Sequence, residues 1–380
     1  MARVVVALSG GVDSAVAASL LVDAGHRVEA LFMSNWTEDD DGYCTAAADF
    51  QDAKAVAEEL GIPLHKASFA PEYRARVFEQ FLAELAAGRT PNPDVLCNRE
   101  VKFGVGLDYA RRLGAERFAT GHYARIDGGR LLRGVDAGKD QSYFLHALDA
   151  AQLSRAEFPV GHLRKSEVRR LARERGLPVA AKRDSTGICF IGARPFGEFV
   201  GKWLPGRPGP IEDEHGAVVG RHRGLERYTL GQRSGLGIGG RKGGSAAPWF
   251  AAAKDLERNV LVVVQGAGHP RLHCKGLTAT MAHWIRGAPP ATQFACTAKV
   301  RYRQPDVACR IAVTGTGVQV SFDAPLAGAA PGQYVVFYDG EECLGGAAIL
   351  DLHPVEDSCR TVSRPAESSR PEAAATSISR

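Results

Sequence analysis

The sequence lacks the marks of several protein classes. No apolar run approaches the roughly 20 residues of a membrane-spanning helix, and the apolar stretch after Arg3 is interrupted too early for a signal peptide. The eight cysteines include no CxxC motif, which argues against a zinc site, and no metal-ligating residues are predicted. A net charge of only +4 does not by itself identify a nucleic-acid-binding protein. We therefore expect a cytoplasmic protein without a membrane partner, whose cysteines do not form structural disulfides.

Strands and helices alternate over the first half of the chain. Continuous apolar runs predict buried strands, and helical patterns that close at glycine predict the intervening helices. The predicted strands are VVVAL (4–8), HRVEALFMSNW (26–36), IPLHKASF (62–69) and ERFATGHYARI (116–126). The predicted helices cover 13–25, 47–61, 72–88, 103–114 and, as the last clear one, 165–176. This order predicts an α/β fold with a doubly wound parallel sheet, whose ligands bind at the carboxyl ends of the strands.

Composition changes after Pro205, where PGRPGP introduces a turn-rich stretch followed by short alternating strands. Two small β-rich domains are predicted there. The expected divisions are 1–204 for the α/β domain, 205–272 for a central β-rich domain, 273–355 for a C-terminal β domain, and 356–380 for a disordered tail without apolar periodicity.

The stretch Ser9-Gly10-Gly11-Val12-Asp13-Ser14 lies between the first strand and the first helix. Glycines let backbone amides approach an anion, and a helix N-terminus favours negative charge. The alternative is a tight turn with Ser or Asp caps, and Asp13 is an unusual neighbour for phosphate. The loop has no lysine, although γ-phosphoryl transfer in P-loop enzymes uses one. These residues favour a loop that retains pyrophosphate while the α-phosphorus is attacked.

Two cysteines lie in cation-bearing segments. Cys97 follows two prolines in TPNPDVLCNREVKFG (90–104), and Cys189 lies in KRDSTGICFIG (182–192). Nearby cations favour the reactive thiolate, so a functional thiol is favoured for Cys97. Residue types alone favour a small buried apolar role for Cys189, between Ile188 and Phe190.

Several blocks together resemble a known family. SGGVDS resembles the pyrophosphate motif of the ATP-pyrophosphatase superfamily. This resemblance implies an adenine nucleotide alpha hydrolase-like fold and an enzyme that activates a carbonyl or carboxylate as an adenylate. With that motif, the chain resembles the bacterial tRNA-specific 2-thiouridylases, a resemblance that also implies a C-terminal β-barrel. The blocks that carry it are NWTEDDDGYCTAAADFQDA, TPNPDVLCNREVKF, TGHYAR, GKDQSYFL, DSTGICFIG, YTLGQRSGLGIGG and VRYRQ.

The resemblance implies a role for each matching position. Cys97 matches the nucleophile and Cys189 the persulfide carrier, and a Cys97–Cys189 disulfide would end the cycle. The positions implied for ATP are Ala7, Leu8, Ser9, Gly10, Gly11, Val12, Asp13, Ser14, Met33 and Gly121. Those implied for the target base are Asn92, Pro93 and Asp94, and those implied for tRNA contact are His122, Lys139, Asp140, Gln141, Arg301, Tyr302 and Gln333. Ala7 departs from the family, where glycine is common, with little expected effect.

The implied reaction uses ATP with Mg²⁺ to adenylate the C2 oxygen of the wobble uridine, and then sulfur from a persulfide. Direct attack by the persulfide and release of hydrosulfide by Cys97 both remain open. The base must be flipped out of the anticodon loop, and Asp94 is either a base for N3 or a turn residue. The implied partners are tRNA and a cysteine desulfurase or sulfur-relay protein. The rival interpretations are another adenylating enzyme of the superfamily and a tRNA-binding protein without catalysis.

Basic residues are concentrated in two stretches that suit a nucleic acid, although a solvated basic face explains any one of them. They are Arg221, Arg223, Arg227, Arg233, Arg241 and Lys242 in the first stretch, and Lys299, Arg301, Arg303 and Arg310 in the second. His269 and His273 are interpreted as structural. No role is predicted for Cys44, Cys274, Cys296, Cys309, Cys343 and Cys359.

Overall fold

The structure is a computed structural model that describes residues 1–36, 46–184, 196–239 and 247–355. Its strands are β1 (Arg3–Ala7), β2 (Arg27–Ser34), β3 (Leu64–Ser68), β4 (Arg117–Ala119), β5 (Ala124–Asp127), β6 (Arg130–Arg133), β7 (Ala156–Glu157), β8 (Gly209–Glu212), β9 (Val218–His222), β10 (Trp249–Asp255), β11 (Val260–Gln265), β12 (His273–Trp284), β13 (Gln293–Lys299), β14 (Val307–Thr314), β15 (Gly317–Ala327), β16 (Tyr334–Asp339) and β17 (Glu342–Pro354). Its α-helices are α1 (Val12–Asp23), α2 (Ala46–Glu59), α3 (Ala70–Tyr73), α4 (Glu79–Ala86), α5 (Pro93–Leu96), α6 (Leu107–Arg112), α7 (Ser142–Leu145), α8 (Ala150–Arg155), α9 (Lys165–Glu174) and α10 (Phe196–Trp203). π-Helical turns, Arg74–Phe78 and Cys97–Gly106, join α3 to α4 and α5 to α6.

A parallel sheet in the order β3-β2-β1-β4-β7 forms the first layer of the fold. The side chains of β1 alternate between two apolar cores, since Val4 and Val6 belong to one and Val5 and Ala7 to the other. Helices α1, α2 and α9 pack into the first core, and α6, α7 and α8 into the second. A strand buried on both faces explains the continuous apolar run. The predicted doubly wound sheet is confirmed.

The strand predicted over 116–126 is wrong as a single element. β4 ends at Ala119 in the parallel sheet, and β5 begins at Ala124 in a hairpin with β6 that belongs to a different sheet. The break contains Gly121, where a Cβ would lie 2.7 Å from the Ser14 amide nitrogen. The chain leaves the sheet here because it must pass directly over the start of α1.

Strands β10, β11, β8 and β9 form a smaller sheet in that order. Its core contains Ile211, Ala251, Leu261 and Val263, all buried. Helix α10 precedes this sheet, although the sequence patterns ended with the helix at 165–176. Two glycines weaken the helical propensity of FGEFVGKW, whereas burial of Phe199 and Val200 stabilises the helix.

Antiparallel strands in the order β12-β15-β14-β13-β16-β17 form a barrel, which β12 closes by pairing with β17. The predicted C-terminal β-barrel is therefore confirmed. The hairpin β5–β6 extends this sheet, because Leu131 of β6 pairs with Cys343 of β17. One of the short alternating runs after Pro205, TAKVRYR, predicts a strand over 297–303. That strand is too long: β13 ends at Lys299, and Arg303 adopts a positive φ of 66° in the following turn.

The domain limits predicted from composition stay predictions. The predicted tail 356–380 lies outside the described residues. Among those that are described, no helix is long and apolar enough to span a membrane.

Lys254 of β10 links the smaller sheet to the end of α4 by donating a hydrogen bond of 2.9 Å to the Gly88 carbonyl. Burial lowers its pKa from 10.5 to about 8. Between about pH 8 and pH 10.5, Lys254 keeps its proton in the unfolded chain and loses it in the folded chain. The free energy of unfolding should therefore rise with pH over this range. We expect this rise to be missing in Lys254→Met. Urea unfolding of both proteins at pH 7, 8.5 and 10 checks this, and a difference independent of pH would contradict it.

Candidate functional site

The glycine loop connects β1 to α1 at the carboxyl edge of the parallel sheet. The Ser14 hydroxyl accepts from the Ser9 amide at 3.2 Å and donates to the Gly11 carbonyl at 3.0 Å, which holds the loop closed. Gly10 adopts a positive φ of 75°, a conformation that glycine tolerates best. Gly11 is the N-cap of α1 and supplies no side-chain cap. The first-turn amides of α1 therefore remain able to bind an anion.

The other positions predicted for ATP lie beside this loop on neighbouring strands. Met33 is near the end of β2, and Gly121 follows β4 and lies against the Ser14 amide. Ala7 and Leu8 form the end of β1 and its exit. The fold thus brings the three separate segments to one edge of the sheet.

Asp13 is held by groups that the sequence did not connect to the loop. Lys165 Nζ lies 2.6 Å from Asp13 Oδ1 and 2.8 Å from Oδ2, and the Tyr123 hydroxyl donates to Oδ1 at 2.7 Å. Burial and the adjacent carboxylate raise the pKa of Tyr123, so it remains a hydroxyl donor. Asp13 therefore serves as an ion-pair partner in this arrangement.

Lys182 is the second cation at the loop. Its Nζ donates to the Gly10 carbonyl at 3.0 Å and pairs with Asp49 at 2.7 Å and Asp52 at 2.5 Å. Sequence reasoning treated Lys182 only as a neighbour of Cys189 and gave Lys165 no role. The glycine loop itself contains no lysine, and this is the sequence feature that indicates that a cation beside the loop must come from another part of the chain.

Cys97 begins the π-helical stretch that follows α5. Asn92 is the N-cap of α5, and Pro93 and Asp94 form its first turn. The Cys97 side chain is buried in an apolar cluster with Leu96, Val101 and Phe199. π-Helical turns are rare and are frequent at functional sites. The predicted target-base segment and the predicted nucleophile therefore occupy consecutive turns of one short helical segment.

Aromatic rings join the Cys97 region to α10. Trp36 contacts Phe78 at a centroid distance of 4.9 Å and Trp203 at 6.1 Å, and Phe199 packs against Phe78 at 6.0 Å. These rings belong to the same apolar cluster as Cys97. Cys189 lies outside the described residues, as do Cys44 and Cys359. The described chain on either side of Cys189 ends at Asp184, near the glycine loop, and resumes at Phe196, in the aromatic cluster.

The barrel region contacts the chain just before the target-base segment. The Gln333 side chain donates to the Thr90 carbonyl at 2.8 Å, and the Thr90 amide donates to the Pro331 carbonyl at 2.8 Å. Thr90 is two residues before Asn92. Gln333, which the resemblance assigns to tRNA contact, thus lies close to the predicted target-base segment, 243 residues from Thr90 in sequence.

The remaining predicted tRNA positions fall into two groups. Tyr302 lies near Lys139, with its hydroxyl 3.5 Å from the Lys139 carbonyl, and packs its ring on Phe144. Arg301 donates to the Leu230 carbonyl at 2.8 Å, and Gln141 accepts from the Tyr123 amide at 3.0 Å.

The second group is buried. Asp140 accepts hydrogen bonds from the amides of Gly134 and Ser142 at 3.0 and 3.1 Å. His122 is hydrogen-bonded to Thr120 at 2.7 Å, and burial lowers its pKa well below the ordinary value, an effect to which Lys102 adds. His122 and Asp140 therefore have internal partners.

Some side chains of the two predicted basic stretches contact other parts of the protein and are therefore less accessible to a nucleic acid. Arg227 donates to the Gly197 carbonyl at 2.6 Å, and Lys299 lies 3.7 Å from Asp306. Arg241 and Lys242 are outside the described residues. His269 accepts from the Arg271 amide at 3.2 Å, which fits the structural interpretation. The described part of the chain holds no cluster of three or more side chains suited to a metal ion.

Three family models match the chain. The tRNA methyl transferase HUP domain matches residues 2–193, the tRNA methyl transferase PRC-barrel domain residues 197–265, and the aminomethyltransferase β-barrel domain residues 274–349. Among curated proteins, the tRNA-specific 2-thiouridylase MnmA of Marinobacter nauticus is 56% identical over 355 residues, covering 91% of each chain. The protein of the same name from Paracidovorax citrulli is 55% identical over 371 residues, covering 94% of this chain and 98% of its own.

Solved structures show more distant similarity. The U34-tRNA thiolase NcsA from Methanococcus maripaludis is 18% identical with a TM-score of 0.34, over 53% of this chain and 64% of that one. A 4-thiouridine synthetase in complex with RNA and ATP is 19% identical with a TM-score of 0.34, over 54% of this chain and 50% of that one.

Proposed function

This chain belongs to the family of tRNA-specific 2-thiouridylases, and we propose that it replaces the C2 oxygen of the wobble uridine (position 34) of tRNA with sulfur in an ATP-dependent reaction. The observation that carries this proposal is the position of Met33. It lies beside the glycine loop at the same sheet edge, and it also packs against the apolar cluster that contains Cys97. The glycine loop and the Cys97 cluster therefore lie on either side of Met33, which supports a reaction that uses ATP at the loop and the thiol of Cys97.

The first step activates the carbonyl. The uridine O2 attacks the α-phosphorus of ATP, pyrophosphate leaves, and the C2–O bond gains AMP as its leaving group. The amides of Gly10–Ser14 and the uncapped start of α1 suit the pyrophosphate. Mg²⁺ arrives with ATP as part of the substrate and neutralises phosphate charge. Oxygen ligands from the phosphates make a dedicated protein metal cage unnecessary.

The second step transfers sulfur from a persulfide on Cys189. In one route the terminal sulfur attacks C2 and expels AMP, and the Cys97 thiolate then attacks Cys189 Sγ, which frees the thiocarbonyl. In the other, Cys97 attacks Cys189 Sγ first and the released hydrosulfide attacks C2. Both leave a Cys97–Cys189 disulfide, which an external thiol must reduce.

The anchors around Cys189 support this pairing. Asp184, five residues before it, is bound by Lys139 and Lys165 at the loop. Phe196, seven residues after it, packs in the cluster with Cys97. The described residues that flank Cys189 in sequence thus lie at the two proposed parts of the site, the glycine loop and the Cys97 cluster.

We also propose the contacts with tRNA that membership of this family implies. Asn92, Pro93 and Asp94 contact the flipped base, and Gln333 stabilises their segment through Thr90. Lys139, Gln141, Arg301 and Tyr302 contact the tRNA. The internal hydrogen bonds of Asp140 and His122 favour a role in shaping that surface.

A cysteine desulfurase, or a relay protein that carries its sulfur, supplies the persulfide. The activity is cytoplasmic because its substrate tRNA is.

Incubation with ATP, Mg²⁺, unmodified tRNA and a persulfide donor tests the function. Mass spectrometry of the digested nucleosides should detect 2-thiouridine, and the reaction mixture before digestion should contain one AMP per modified tRNA. Cys189→Ser should bind tRNA normally yet form no 2-thiouridine, because it cannot carry the persulfide. A parallel reaction with S-adenosylmethionine should leave uridine unmethylated. Absence of 2-thiouridine with every persulfide donor would contradict the proposal, and normal thiolation by Cys189→Ser would contradict the sulfur relay.

A further inference from the structure

Two ammonium groups reach the glycine loop from distant parts of the chain. Lys165 is 152 residues from Asp13, and Lys182 is 172 residues from Gly10, to whose carbonyl it donates. They approach different parts of the loop, since one pairs with the first turn of α1 and the other contacts the Gly10 peptide.

Helix packing fixes the position of Lys165. Val168 and Ala172 of α9 pack into the same core as Val16 of α1, so the two helices lie side by side. The Lys165 amide donates to Asp136 at 2.9 Å, and the Arg164 amide donates to Glu167 at 2.7 Å, which stabilises the start of α9. The side chain of Lys165 therefore projects over the start of α1 from a rigid base.

Carboxylates form ion pairs with both of these cations. Lys165 pairs with Asp13 and with Asp184 at 2.8 Å, and Lys182 pairs with Asp49 and Asp52. Asp184 is also bound by Lys139 and Arg169. Among the described residues, these ion pairs join four basic side chains to four acidic ones. A polyphosphate placed here would face four carboxylates, unless some ammonium groups turn to it.

We propose that Lys165 and Lys182 bind the pyrophosphate end of ATP, each exchanging a carboxylate partner for phosphate oxygens. They supply from α9 and from the segment after it the charge that the loop itself lacks. A lysine ammonium is suited to this exchange, because it is a compact charge on a flexible stem. The proposal rests on the proposed function, since it assumes that ATP occupies this loop.

Calorimetric titration of the full chain with ATP and with AMP tests this inference. In Lys165→Met and Lys182→Met, the ATP affinity should fall about tenfold to a hundredfold, as expected for loss of a charge-assisted hydrogen bond. The AMP affinity should change less than twofold, because AMP has no pyrophosphate end. An equal loss for both nucleotides, or no loss for ATP, would overturn the proposal.

Arg175→Met is the matched control. Arg175 pairs with Asp23 at 2.5 Å, which joins the other ends of α9 and α1 away from the loop. The Arg175→Met variant should bind ATP with unchanged affinity. If its ATP affinity fell as far as that of Lys165→Met, the effect of Lys165→Met would be explained by loss of an ion pair between α1 and α9 and not by loss of a phosphate contact.

Asp184→Asn gives a second test that retains both lysines. Removing this competing carboxylate should leave ATP binding as strong as before or tighter, and a tenfold weakening would overturn the proposal. Failure of the unmodified protein to bind ATP would instead contradict the proposed function.

Discussion

Replacing Cys97 with serine is expected to abolish 2-thiouridine formation while pyrophosphate is still released by adenylation of the uridine. The thiolate must attack Cys189 Sγ in either route, and a serine hydroxyl cannot form the sulfur–sulfur bond. Loss of a covalent nucleophile costs on the order of 10⁴-fold or more in rate. Adenylation occurs at the glycine loop, so it precedes the step that Cys97 performs. Nucleoside mass spectrometry and pyrophosphate release, measured in one reaction, check both halves of this expectation.

The same variant separates the two sulfur routes. If the persulfide attacks C2 directly, Cys97→Ser should accumulate a covalent Cys189–S–S–C2 adduct of enzyme and tRNA that a thiol reductant cleaves. If hydrosulfide is released first, no adduct forms and the Cys189 persulfide persists. Denaturing gel electrophoresis with labelled tRNA distinguishes these results.

Cys343→Ser is the matched control for Cys97→Ser. Both side chains are 1% exposed, so both substitutions place a hydroxyl in a buried apolar site. Cys343 lies in β17 of the barrel, in a different apolar cluster from Cys97. Thiolation should survive in Cys343→Ser. Normal thiolation by Cys97→Ser would remove Cys97 from the mechanism.

Gly10→Ala should reduce the rate of AMP formation by about a hundredfold or more. A Cβ at this position would lie 2.3 Å from the Asp49 backbone carbonyl, and a backbone atom of α2 cannot move aside as a side-chain end would. The positive φ of Gly10 adds strain of about 1–2 kcal/mol. Relief requires movement of the loop, and displacement of a reacting group by about 1 Å can cost a hundredfold. Single-turnover AMP release with saturating tRNA measures the effect.

Gly25→Ala controls for backbone strain alone. Gly25 has the same φ of 75° as Gly10, but a Cβ there meets no atom within 4 Å. It follows the far end of α1, away from the loop. The variant should lose only the stability that backbone strain costs and keep its rate of AMP formation. Equal rates for Gly10→Ala and Gly25→Ala would show that the loop tolerates displacement and holds no reacting phosphate.

Local patterns predicted the elements that depend on local interactions. The apolar run of β1 implied burial on both faces, and the two cores that receive Val5 and Val6 confirm it. The run 116–126 led to a wrong prediction of one strand, because an apolar pattern indicates extended chain and does not specify the sheet to which each part of it belongs. Only the close passage of Gly121 over Ser14 shows why the two halves of that run enter different sheets.

The sequence by itself determined the doubly wound sheet, the glycine loop and the family to which the motifs belong. Each of these is encoded by neighbouring residues, through strand burial, backbone freedom at glycine and motif spacing. The tertiary structure alone decided that Lys165 and Lys182 flank the loop, and that Gln333 of the barrel is hydrogen-bonded to Thr90 before the target-base segment. Such contacts join residues more than 150 positions apart. They arise from the packing of α9 on α1 and of the barrel on the α5 region, which no local pattern in the chain specifies.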